Sequence, residues 1–141
     1  MNQKPLEILT VELMGTFHVV QERLEAAVEP LGLSLAKFKV LRRLVEAGEP
    51  LPLGTLAEHA ACVRSNITQL IDRLEADKLV VRSDDPKDRR SVRAELTPKG
   101  RSLHEDATQA LDEAERVLFS RLREEEQQQF LQLLRVLRAA G

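Results

Sequence analysis

Residues 83–100 read SDDPKDRRSVRAELTPKG, and they interrupt a chain whose other segments follow a helical period. Within this run Val92, Ala94 and Leu96 alternate with Arg93 and Glu95, the two-residue repeat of a strand with one covered face. The preceding LVVRS is rich in β-branched residues and reads as its hairpin partner. The loop between them is DDPKDRR, where Asp bonds nearby amides and Pro presets φ. Thr97 and Pro98 then restart a helix, since threonine caps free amides and proline loses nothing at the first helical position. A hairpin set among helices limits the chain to a mainly α fold with one small β element.

On its amino side, Leu6, Leu9, Leu13, Phe17, Val20, Leu24 and Ala27 recur at three- and four-residue steps, which predicts a helix from Leu6 to about Glu29. Ile8, Val11, Met14 and Val19 widen the apolar surface beyond one stripe, so two covered faces are expected, one of them against a second chain. Ser34 is the expected N-cap of a second helix carrying Leu35, Phe38, Leu41 and Leu44, which Gly48 and Pro50 end. After a short LPL segment, GTLAEHA and RSNITQLIDRLEAD read as a short and a longer helix separated by ACV, a helix-turn-helix pattern. Two more helices follow the hairpin, the last from about Glu124 with Phe130, Leu131, Leu134 and Leu137 on one side. Terminal helices this apolar would leave an exposed patch on a monomer, so a homodimer is expected, with Leu6, Leu9, Leu13, Leu118, Phe130, Leu134 and Leu137 in its interface.

The chain has 141 residues and 43% hydrophobic content, enough for one continuous compact domain with its own core. The formal net charge of −2 carries no global basic signal. Residues 61–100, however, hold nine basic and seven acidic groups, whereas each flanking region is net acidic, so any contact with nucleic acid must be local to the middle. No apolar run approaches the roughly 20 residues that span a bilayer, and the amino end lacks the layout of a signal peptide; a cytoplasmic location without membrane contact is expected. The single cysteine, Cys62, forms no internal disulfide and reads as a small packing residue, with a single-thiol sensor as the minor reading. His59 and Cys62 are three apart but lack a third ligand, so no metal or cofactor is expected.

The order helix, helix, short strand, helix-turn-helix, hairpin, two long helices resembles the MarR family of winged helix-turn-helix transcription regulators. The most specific part is DDPKDRRSVRAELTPKG, similar to the family's wing signature in Asp88, Arg90, Leu96, Thr97 and Gly100. NITQLIDRLEADKLVVR also resembles the family's recognition helix running into the first wing strand. The resemblance implies a dimerisation region from residues 1–33 and 101–141, a winged helix-turn-helix lobe over 34–100, and double-stranded DNA as partner. It further implies a ligand-responsive repressor on a pseudopalindromic operator. The family commonly has glycine where Lys78 stands, so Lys78 or Asp77 is expected in a left-handed cap.

The expected DNA-contacting residues are Arg64, Ser65, Asn66, Thr68, Gln69 and Arg73 on the recognition helix, with Lys87, Arg89 and Arg90 on the wing. Asn and Gln can bond adenine in pairs and Arg guanine, while a narrow minor groove attracts inserted arginine. Asp88 would be repelled by phosphates, so it is assigned to orienting Arg90 or capping the turn. Ser65 equally suits a capping role, and Arg73 an ion pair with Asp72. An effector cleft between the dimer helices and the lobe would take Phe17, His18, Phe38 and Leu41, residues that suit a core as well. Glycine-rich phosphate loops, nucleophile elbows and metal-ligand spacings are missing from the sequence, so no catalytic residue is assigned. The competing reading is a helical protein-protein interaction module that binds no duplex.

Overall fold

A computed structural model describes residues 5–59 and 64–139. The side chains of Leu6, His59, Arg64 and Ser65, and the whole of Cys62, lie outside the described residues. In chain order come α1 (Pro5–Val28), a 3-10 turn (Glu29–Leu31), α2 (Leu35–Ala47), β1 (Leu51–Pro52), α3 (Leu53–His59) and α4 (Arg64–Ala76). β2 (Val80–Asp85), β3 (Asp88–Leu96), α5 (Pro98–Phe119) and α6 (Glu124–Ala139) complete the chain. The fold is mainly α with a small antiparallel sheet, as expected.

Local chemistry accounts for most boundaries. The Ser34 hydroxyl accepts the Lys37 amide at 3.2 Å, and both carboxylate oxygens of Glu25 accept the Leu35 amide at 3.2 and 3.3 Å. Free amides at the start of α2 are thus satisfied, and one of the bonds ties that start to α1. Gly48 ends α2 at φ 67°, with its amide on the Leu44 carbonyl at 3.1 Å. Thr97 caps α5 as expected, its side chain accepting the Gly100 amide at 3.0 Å.

The sheet has the order β1-β3-β2. β1 pairs Leu51 with Ala94 and Pro52 with Arg93; a proline is tolerated there because β1 is an edge strand. β2 and β3 form the hairpin, in register from Val80 against Leu96 to Asp84 against Val92. The hairpin is longer than the sequence suggests: Asp84, Asp85, Asp88, Arg89 and Arg90 lie in strands, leaving only Pro86 and Lys87 between them. Its covered face is also shorter, with Ala94 fully buried but Val92 38% exposed.

The core is built where Val28 at the end of α1 and helices α2 to α5 meet the root of the hairpin. Phe38, Val40, Leu41 and Leu44 of α2 pack with Leu56 of α3, Ile67, Ile71 and Leu74 of α4, Leu79, Val80, Ala94 and Ala107. The termini contribute little to it. Residues 7–19 of α1 are all exposed, and α6 contains no buried residue. The described residues contain no helix long and apolar enough to cross a membrane.

Candidate nucleic-acid interface

α4 is amphipathic in the sense a groove-reading helix needs. Ile67, Ile71 and Leu74 are fully buried, while Asn66, Thr68, Gln69, Asp72 and Arg73 are exposed. Asn66, Gln69 and Arg73 recur at steps of three and four, which puts them on one side of the helix.

The exit from α4 sets where the hairpin begins. The Leu79 amide bonds the Leu74 carbonyl and the Lys78 amide the Glu75 carbonyl, both at 2.9 Å, a Schellman ending. Lys78 itself takes the left-handed conformation at φ 63°. A side chain there costs about 1 kcal/mol relative to glycine. The far end of the hairpin returns to the same point: the Thr97 hydroxyl donates to the Lys78 carbonyl at 2.8 Å and the Leu79 carbonyl at 3.0 Å, and the Thr97 amide donates to Leu79 at 3.1 Å. Gly100 makes this closure possible, because a Cβ there would overlap the Leu79 carbonyl oxygen and stand 2.9 Å from Leu96 Cδ1. Thr97 and Gly100 of the signature therefore serve the hairpin's root.

At the tip the register breaks. Asp84 faces Val92 but Asp85 faces Asp88, so Arg89, Arg90 and Ser91 have no counterpart on β2 and form a bulge. Bulges bend a strand and redirect its side chains, and this one carries both tip arginines. The Asp85 carboxylate accepts the Lys87 amide at 2.9 Å, and the Asp88 carboxylate accepts the Arg90 amide at 3.0 Å. Asp88 thus bonds the Arg90 backbone, a turn-capping contact. Lys87, Arg89 and Arg90 are exposed. Among the described residues, these three and Arg73 make no ion pair, whereas Arg42, Arg82, Arg116 and Arg123 are each held by a carboxylate.

Asp72 does not pair with Arg73. It is gripped by Arg82 of β2, whose guanidinium also donates to Glu75 Oε1 at 3.1 Å while the Arg82 amide donates to Glu75 Oε2 at 3.0 Å. The hydrogen bond to Asp72 raises the Arg82 pKa; desolvation opposes it, and the charges of Asp72 and Glu75 add to the rise. Nothing in the sequence singles out Arg82, because its partners lie seven and ten residues away across a turn.

A cavity of about 660 Å³ lies between α1, α2 and α5, bounded in part by Phe17, Phe38, Arg42, His104, Thr108 and Phe119. Of the residues assigned to an effector cleft, Phe17 and Phe38 line this cavity. Leu41, three residues from Phe38 on the same helix, does not line it and is fully buried in the core. His18 stands apart, exposed on α1 and 3.1 Å from Glu22. His104 also lines the cavity, its ring stacked on Phe38 at 5.2 Å and 2° between planes; nothing in the local sequence connects the two. Desolvation lowers the His104 pKa, with the Arg42 charge next, and its buried Nε2 has no partner among the described residues.

The expected dimer residues separate into two degrees of exposure. Leu9 is 67% exposed and Leu137 59%, whereas Leu118 and Leu134 are half-buried. Leu13 and Phe130 are also exposed, and Phe130 lies 6.4 Å from Phe119 between ring centroids. Leu133 and Val136 add further apolar surface to α6.

Comparison with known proteins fits this geometry. The sequence profile of the MarR family matches residues 33–92. The HTH-type transcriptional repressor Rv2887 of Mycobacterium tuberculosis is 31% identical over 116 residues, covering 82% of this chain and 83% of its own. A MarR-family transcriptional regulator from Rhodococcus sp. RHA1 has a similar structure, with a TM-score of 0.83, 27% identity and 96% of each chain covered. A MarR-family regulator from Streptomyces coelicolor, solved in complex with DNA, shares the fold at a TM-score of 0.86 and 22% identity, over 99% of this chain and 93% of that one. With its helix-turn-helix, hairpin and flanking helices in this order, the chain belongs to the MarR family of transcriptional regulators.

Proposed function

We propose that the protein is a homodimeric, ligand-responsive repressor that binds a pseudopalindromic operator in the cytoplasm. Residues 34–100 act as the DNA-binding lobe, and residues 1–33 and 101–141 as the dimerisation region. The observation that carries this reading is the uninterrupted path from the exposed polar side of α4 into a hairpin tip whose Lys87, Arg89 and Arg90 make no ion pair among the described residues. Cations left unpaired can neutralise phosphates and release counterions. In this reading Arg64, Asn66 and Gln69 address base edges in the major groove, and Ser65, Thr68 and Arg73 address phosphates or neighbouring edges. Lys87 meets the backbone, while Arg89 and Arg90 enter the adjacent minor groove, with Asp88 shaping the turn that presents them.

The exposed apolar surfaces of α1 and α6 support the dimer. Ile8, Leu9, Val11 and Met14 on one helix and Leu133, Val136 and Leu137 on the other are too exposed for a stable monomer to need them. Two-fold symmetry then sets the half-site centres about 34 Å apart, one turn of the duplex. The cavity supports effector control. An aromatic-walled space carrying Arg42 and His104, set between an arm helix and the lobe, lets a small molecule favour one relative placement of the two.

Selection of bound duplexes from a random pool tests function, symmetry and spacing together. A two-fold symmetric sequence with half-sites one turn apart is the expected result. A pool that shows no enrichment after repeated rounds would refute DNA recognition, and an enriched single half-site would refute the dimer geometry.

A further inference from the structure

Arg82 occupies a position that none of the roles above uses. It lies on the first wing strand, yet its hydrogen bonds go back to the recognition helix, where Asp72 and Glu75 sit one turn apart in the last part of α4. Three donors of one residue are engaged: Nη2 on Asp72, Nη1 on Glu75 at 3.1 Å, and the amide on Glu75 at 3.0 Å. The Arg82 side chain is only 28% exposed, whereas Asp72 and Glu75 are 58% and 41% exposed, so the strand residue is the better anchored of the three. A planar guanidinium binding two carboxylates in fixed directions restricts angle as well as distance.

The consequences of this grip are mechanical and electrostatic. The Schellman ending and the Thr97 closure hold the root of the hairpin, but both act at Leu74–Leu79 and leave a lever of several residues out to the bulge. Arg82 acts beyond that root, against the flank of α4. It also neutralises two carboxylates on the helix that faces DNA, where Asp72 lies three residues from Gln69 and would repel phosphate.

We propose that Arg82 is a positioning residue for DNA binding. By holding Asp72 and Glu75 it fixes the angle between the recognition helix and the wing, so that α4 and the bulge arginines reach one duplex together. The proposal rests on the reading that both elements contact DNA.

The test uses the full chain as wild type, Arg82→Gln, Arg82→Lys and the double variant Asp72→Asn/Glu75→Gln, with the duplex that wild type selects from a random pool. Amide hydrogen exchange without DNA reads the clamp directly. In Arg82→Gln the amides of residues 80–96 should exchange about tenfold faster, the scale of one charge-assisted hydrogen bond, while those of α5 stay unchanged. On DNA, Arg82→Gln should weaken binding about tenfold and lose hydroxyl-radical protection in the minor groove while keeping dimethyl sulfate protection of guanines in the major groove. Arg82→Lys, which keeps the charge without the fork, should recover part of the affinity and less of the minor-groove protection.

The double variant separates position from charge. It makes the surface more positive, so a purely electrostatic role predicts tighter binding, whereas positioning predicts the same loss of minor-groove protection as Arg82→Gln. Unchanged exchange over 80–96, or loss of both protections in equal measure, would overturn the proposal. If wild type selects no duplex, it is the DNA reading that fails, and the exchange measurement still decides whether Arg82 holds the wing to α4.

Discussion

Gly100→Ala tests how the wing is attached. The added Cβ overlaps the Leu79 carbonyl oxygen and stands 3.1 Å from the Leu79 carbonyl carbon and 2.9 Å from Leu96 Cδ1. Leu96 can rotate, but the backbone of Leu79 cannot, because it is held by the Schellman bond and by Thr97. Relief therefore requires α5 to retreat from the hairpin. That motion stretches both Thr97 bonds to the Leu79 carbonyl, at 3.0 and 3.1 Å, each worth about 1 kcal/mol. Residual overpacking adds about 1–3 kcal/mol, and the better helix propensity of alanine returns up to about 1 kcal/mol. The expected net loss is about 2–4 kcal/mol, read from urea midpoints at unchanged slope. Because the strain falls at the wing root, operator affinity should fall further than the unfolded fraction alone explains. A variant as stable as wild type would refute the close approach, and with it the account of why Thr97 and Gly100 accompany the wing.

Four further outcomes follow from the same geometry. Lys78→Gly should stabilise the fold by about 1 kcal/mol in chemical denaturation, because it removes a side chain from the left-handed region at φ 63°; a loss of stability would contradict this. Arg90→Ala should weaken operator binding across sequences and reduce the salt slope by about 1, whereas Gln69→Ala should relax preference at one position per half-site. Leu133→Asp, which changes a residue 66% exposed in the single chain, should shift light scattering toward the monomer at micromolar concentration without loss of helical circular dichroism. Stability should also depend on His104. Its pKa is lowered in the folded chain, so the unfolded chain binds more protons below the ordinary value of 6.5, and this contribution is present above that pH and lost as pH falls through the folded value. Urea midpoints from pH 8 to pH 5 should therefore fall less in His104→Asn, and identical pH profiles would exclude the histidine as their source.

Local sequence determined the elements and their order. Ser34 and Thr97 cap helices through side chains that reach amides three residues on, so their roles are written in adjacent positions. The helical and two-residue periods likewise report which side of each element is apolar, and they placed α4 with its polar side outward beside a hairpin. Tertiary structure decided what each surface meets. Leu41 and Phe38 share one apolar stripe of α2 and both enter the core, yet only Phe38 also borders the cavity, where it stacks on His104, a residue 66 positions later that no periodicity connects to it. Asp72 could have paired with its neighbour Arg73, but the fold brings Arg82 to it from the next strand. The bulge that sets Arg89 and Arg90 apart is a property of register, which arises only when two strands align from a fixed root. Gly100 shows the division most plainly. Its position in the sequence looks like an ordinary first turn, and only the Leu79 carbonyl lying against it explains why a side chain has no room there.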